Sequence, residues 1–65
     1  MEVRMPLIEI RLVEGRSKEK KKALLEAVSR AVRESLDAPP ESIRVWIREL
    51  AADEYMIAGR LHSER

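Results

Sequence analysis

The stretch RMPLIEIRLVEGRS near the start of the chain holds a proline, Pro6, directly after Met5 and at the mouth of an alternating segment. As a first residue, Pro6 would carry a free secondary amine. An α-amino group titrates near ~8 in water. Apolar surroundings and nearby cations disfavour its charged form and lower that value. Such an amine can take and return a proton, which is the work of a general base. With Met5 attached, the same nitrogen is a tertiary amide without a basic lone pair, and Pro6 becomes a residue that blunts a strand edge. Other reactive groups are scarce. The chain has no cysteine and one histidine, His62. Disulfides and thiolate ligands are therefore excluded, and no zinc site is expected.

The elements that must position Pro6 follow from periodicity. From Leu7 to Val13 apolar and polar residues alternate, with Ile8, Ile10 and Leu12 on one face and Leu7, Glu9, Arg11 and Val13 on the other. Period two with β-branched residues predicts a strand. Gly15 ends it, and Ser17 is a natural N-cap. Lys18 to Leu36 reads as a helix of about 28 Å, with a core stripe of Leu24, Ala27, Val28, Ala31, Val32 and Leu36. Lys20, Lys21, Glu26, Arg30, Arg33 and Glu34 are assigned to its wet side. Pro39 and Pro40 stop it. Ile43 to Leu50 alternates again and predicts a second strand, with Arg44, Trp46 and Arg48 sharing one face. Strand, helix, strand is a βαβ unit with parallel strands and a right-handed crossover. After Ala51 a short hairpin or arm is expected, with His62 as unstructured surface. Trp46 is read as packing between subunits, and Glu9 with Arg11 as a cross-strand or solvent pair.

Size and charge narrow the classes of function. The chain has 65 residues and a net charge of +1. One small domain is all this length allows, and a chain of this size buries only about 60% of its unfolded surface. With disulfides and metal removed, oligomerisation is the remaining support. The charge gives no strong pull toward nucleic acid or an anionic membrane. The run KEKKK at 18–22 reads as a solvated helix start. No apolar run approaches the roughly 20 residues of a membrane span, and MEVRM lacks a signal peptide's apolar region. A soluble cytoplasmic protein is expected, with neither nucleic acid nor membrane as partner.

Four pieces in order, Met-Pro opening a strand, VEGRS at the turn, LDAPPESIRV entering the second strand and the AGRL tail, carry a family signal. From Pro6 to about Leu61 the chain resembles a small subunit of the 4-oxalocrotonate tautomerase (2-hydroxymuconate tautomerase) family. The resemblance implies an α+β fold: a βαβ subunit with two parallel strands and a short C-terminal hairpin or arm, its sheet extended by dimerisation. It implies a homo-oligomer, a hexamer built as a trimer of dimers, or a mixed oligomer with a paralogue. Residues 6–65 would form the tautomerase domain and residues 1–5 an N-terminal extension. It also implies catalysis with no cofactor and no metal, on a small enol or keto dicarboxylate or related acid. By that resemblance Pro6 is the base, and Arg16 holds the distal carboxylate. Arg44 meets the carboxylate and oxygen at the reacting end, and Tyr55, where the family often has Phe, is the aromatic wall. Arginines suit these tasks because a guanidinium grips a planar carboxylate by paired hydrogen bonds and stabilises a developing oxyanion.

Each residue also has a purely structural reading. Arg16 can be a solvated turn residue, although a cation just before a helix N-terminus opposes the macrodipole. Arg44 can be one wet strand residue among several, and Tyr55 can be packing alone. Relatives that add water to halogenated acrylates use a further arginine and a carboxylate where this chain has Val13 and Ile57, which argues against that chemistry. The extension sets up the main alternative. If MEVRM is retained, Pro6 is capped and the chain is a catalytically silent assembly subunit. A small basic nucleic-acid binder is the remote third reading.

Overall fold

The computed structural model describes residues 5–64. Of the expected extension, residues 1–5, all but Met5 lies outside the described residues. The chain runs β1 (Leu7–Val13), α1 (Lys18–Leu36), β2 (Arg44–Leu50), β3 (Met56–Ile57) and β4 (Arg60–Leu61), with single 3-10 turns at Pro40–Ser42, Ala52–Glu54 and His62–Glu64. β1 and β2 pair in parallel from Leu7↔Arg44 to Val13↔Leu50. β3 and β4 form a separate antiparallel hairpin. The architecture is α+β: a βαβ unit followed by a C-terminal hairpin.

Local chemistry explains the boundaries. The Ser17 hydroxyl accepts the Lys20 N–H at 3.2 Å, so α1 begins with a side-chain cap. It ends at Asp37, whose φ of 55° is left-handed. Ile8, Ile10 and Leu12 of β1 and Ile43, Val45 and Ile47 at β2 are half-buried beneath the helix. The helical face over them is Lys21, Leu24, Leu25, Val28, Ser29 and Val32. This corrects the expected stripe: Ala27 and Ala31 are exposed, and Leu36 is 64% exposed. A helix of about 28 Å overruns strands of about 23 Å, so its last turn has no sheet beneath it. Lys21, assigned to the wet side, instead folds its stem over the sheet and places its ammonium 3.1 Å from the Glu49 carboxylate.

Among the described residues no hydrophobic side chain is buried, and the one buried polar residue is Ser42. Leu7 and Met56 are among the exposed apolar side chains. No described helix is long and apolar enough to cross a membrane.

The sheet face away from the helix carries one carboxylate between cations. Glu9 receives the Arg11 guanidinium at 2.8 Å, the Trp46 indole N–H at 3.1 Å and, at 3.5 Å, the Arg48 guanidinium. The Arg11 bond runs along one strand, two residues apart, rather than across strands. Trp46 is thereby tied to Glu9 within the chain, and 39% of it remains exposed. Arg11, then Trp46, then Arg48 hold the Glu9 carboxyl below its ordinary range, against a smaller desolvation effect.

The β3–β4 loop is two residues, Ala58 and Gly59, with φ of 53° and 82°. Positive φ at both positions marks the type I′ geometry that matches strand twist. An alanine there carries a left-handed cost of about 1 kcal/mol. Ala58→Gly and Ala58→Asn are therefore expected to raise the thermal midpoint by a few degrees, read by circular dichroism. Glu9 supplies an acid limb. Because its folded pKa is depressed, its contribution is present above the ordinary glutamate value and is lost as pH falls through the folded value. The thermal midpoint of the native chain should drop on acidification below about pH 4, and that slope should flatten in Glu9→Gln.

Candidate active site

Pro6 and Arg44 meet at the beginning of the sheet. The Arg44 N–H donates to the Pro6 carbonyl at 3.0 Å, the bond that starts the parallel ladder. Pro6 needs no donor of its own here, since it supplies only a carbonyl. The approach to Arg44 is stiff. Pro39 and Pro40 lead into a single 3-10 turn, in which the Ser42 N–H and hydroxyl both reach the Pro39 carbonyl, at 2.9 and 2.8 Å. Ile43 N–H returns to the Pro40 carbonyl at 3.2 Å. The Arg44 guanidinium then donates to the Glu41 carbonyl at 2.7 Å through one nitrogen and is otherwise exposed. Its remaining N–H groups are available to an anion.

Arg16 and Tyr55 sit at the other end. Parallel strands finish together, so the turn after β1 and the segment after β2 are neighbours. Arg16 is exposed, with one guanidinium nitrogen 3.4 Å from the Val13 carbonyl. Glu14 joins the two segments: its N–H donates to the Leu50 carbonyl at 2.9 Å, and its carboxylate accepts the Ala52 N–H at 3.1 Å. Tyr55 follows the Ala52–Glu54 turn and is half-buried. His62, expected as unstructured surface, is instead folded onto it. Its N–H donates to the Tyr55 carbonyl at 2.7 Å, and the two rings lie 6.0 Å apart at 41°. Hairpin closure brings them together although they lie seven positions apart in sequence. The His62 Nδ1 atom is buried without a hydrogen-bond partner among the described residues.

One chain thus places Pro6 with Arg44 at the strand starts and carries Arg16 and Tyr55 beyond the strand ends, about 23 Å away along the strands. It does not bring all four together. Val13 ends β1 and Ile57 lies in β3, both apolar where a water-activating pair would be needed. Two open grooves run beside α1, one of about 360 Å³ against Pro40 and Ile43 and one of about 440 Å³ against β2, sharing Lys22 and Leu25, and neither is lined by the four candidates. Among the described residues no cluster of three His, Cys, Asp or Glu is placed to hold a metal. Sequence reasoning missed Ser42 and Glu14. The signal for Ser42 was a serine two residues after a Pro-Pro pair, a natural turn cap. The signal for Glu14 was a carboxylate two residues before a cation in a glycine turn.

The pattern of the "Tautomerase enzyme" family matches residues 6–65, beginning at Pro6. The chain is 47% identical over 60 residues to a 2-hydroxymuconate tautomerase of Pseudomonas putida, spanning 92% of this chain and 95% of that one. Among solved structures it is similar, at 40% identity and a TM-score of 0.86 over 92% of both chains, to a 4-oxalocrotonate tautomerase homologue of the tomaymycin biosynthetic pathway. It is also similar, at 33% identity and a TM-score of 0.84, to a heterohexamer 4-oxalocrotonate tautomerase from Chloroflexus aurantiacus, over 92% of this chain and 97% of that one. A small βαβ subunit with these partners is an isomerase subunit by fold and by kinship. The chain belongs to the tautomerase family and is an enzyme of the 4-oxalocrotonate tautomerase type.

Ser42 makes the Arg44 approach testable. Ser42→Ala removes the buried hydroxyl bond to Pro39 and is expected to cost about 1 kcal/mol of stability in a denaturant titration, whereas Ser63→Ala, exposed in the tail, should cost nothing measurable.

Proposed function

We propose that this chain, when it begins at Pro6, is a cofactor-independent tautomerase acting on a 2-hydroxy-dienoate or related enol acid. Pro6 as a free amine takes the proton of the enol hydroxyl. The electron pair moves through the conjugated system, and the resulting ammonium delivers a proton to the distal carbon, so that an O–H bond breaks and a C–H bond forms. Arg44 holds the carboxylate and oxygen at the reacting end and steadies the charge that develops there. Arg16 grips the distal carboxylate, and Tyr55 walls the pocket and keeps water from the amine. The observation that carries this reading is the pairing of Pro6 with Arg44 at 3.0 Å across the strand starts. It joins the two backbones, the Arg44 N–H to the Pro6 carbonyl, and in our reading the Arg44 side chain then lies close enough to the amine to lower its proton affinity.

Residues 6–65 are the working domain in this reading, and residues 1–5 an extension that must be absent from the active form. The working unit is an oligomer, in our reading a hexamer, which lets Arg16 and Tyr55 of neighbours reach Pro6. Leu7 and Leu36 at 64% exposure and Met56 at 56% support burial between chains. A mixed oligomer is the variant of this assembly that the Chloroflexus heterohexamer exemplifies for its own chains.

The Met5–Pro6 peptide bond favours a second reading. With Met5 in place the nitrogen is an amide, and the chain is a silent subunit of an assembly. Intact mass of the protein from cells separates the two: a first residue at Pro6 supports the enzyme, and one at Met1 the silent subunit.

Ketonisation of 2-hydroxymuconate, followed by absorbance on protein beginning at Pro6, tests the chemistry. Pro6→Ala is expected to lower kcat by at least about a hundredfold. Arg16→Ala should act mainly through KM, and Arg44→Ala mainly through kcat. An unchanged rate in Pro6→Ala would assign the proton transfer to another group.

A further inference from the structure

We propose that Glu14 is a positioning residue that locks the Arg16 turn to the Tyr55 segment, so that both are presented as one rigid half-site for a dicarboxylate. The inference rests on the reading of Arg16 and Tyr55 as substrate-binding groups. Three observations carry it. Glu14 lies two residues before Arg16, in the same turn. Its carboxylate accepts the Ala52 N–H at 3.1 Å, across 38 positions of sequence. The donor is the first N–H of the Ala52–Glu54 turn, whose cap position, Ala51, has no side-chain oxygen to offer.

Glu14 therefore acts as the missing cap from outside the segment, and the turn it fixes leads directly into Tyr55. Its own N–H, bonded to the Leu50 carbonyl at 2.9 Å, continues the β1–β2 ladder by one step and sets the carboxylate over Ala52. The Tyr55 backbone carbonyl accepts the His62 backbone N–H at 2.7 Å. Without the Glu14 bond the segment between Leu50 and Tyr55 keeps only the Glu54 N–H to Ala51 carbonyl bond within itself, at 2.9 Å. The aromatic wall would then be free to shift relative to the guanidinium.

The test reads binding and local opening, neither of which needs turnover. Adipate, an unreactive six-carbon dicarboxylate, is titrated by NMR into the protein beginning at Pro6 and into its Glu14→Ala and Glu14→Gln variants. Amide exchange at Ala52 is recorded in parallel. Gln keeps the acceptor oxygen and Ala removes it, while both lose the charge equally, so their difference isolates the bond. Glu14→Ala is expected to bind adipate about tenfold more weakly than Glu14→Gln and to exchange the Ala52 amide about tenfold faster. Exchange at Ile47 in the middle of β2 should match in both, which shows that the fold is intact. Equal adipate affinity in the two variants, or equal Ala52 exchange, overturns the proposal. A failure of the proton-transfer reading would appear instead in the Pro6→Ala assay, with adipate binding untouched.

Discussion

The Arg44 N–H to Pro6 carbonyl bond, 3.0 Å long, fixes the register on which the rest of the molecule depends. From it the ladder runs in step to Val13↔Leu50. A slip of one residue would exchange the faces of β2. Arg44, Trp46 and Arg48 would then turn beneath the helix, and Ile43, Val45 and Ile47 would face outward. The same bond puts the proline and an arginine at one end of the sheet. Because parallel strands also finish together, it assigns the Glu-Gly-Arg turn and the Tyr55 segment to the other end.

That separation is a geometric consequence of parallel pairing, and a single chain of this size does not bring the four candidate residues together. Seven-residue strands hold the two half-sites about 23 Å apart within a subunit. The absence of any buried hydrophobic side chain among the described residues has the same root. Two strands under one helix give one covered face and two open edges, too little to enclose an apolar cluster.

Charged residues do more structural work than their exposure suggests. The parallel register sets Arg11 directly beside Arg48. Glu9 lies between these like charges and also accepts the Trp46 indole N–H, so one carboxylate organises the open face. On the covered face Lys21 and Glu49 pair across the α1–β2 contact. At the strand ends, carbonyls and carboxylates replace missing caps: Pro39 for Ser42, and Glu14 for Ala52.

The sequence by itself determined the elements. Alternation over Leu7–Val13 and Ile43–Leu50, the helical period after Ser17 and the Pro-Pro stop are local signals, set by side-chain direction and φ restriction. They were legible without knowing where any other residue lay. The order Met-Pro, VEGRS, LDAPPESIRV and AGRL also pointed to the family now supported over residues 6–65. Only the tertiary structure decided which side chains became partners. Trp46 finds Glu9 across 37 residues and Ala52 finds Glu14 across 38, because register and turn geometry bring them together. His62 left the surface for Tyr55 when the hairpin closed, the helix face over the sheet includes Leu25 and Ser29 in place of Ala27 and Ala31, and Leu36 lies beyond a sheet shorter than the helix. A hydrogen bond between distant residues has no periodicity to reveal it, since its partners are chosen by the packed backbone and not by their neighbours along the chain.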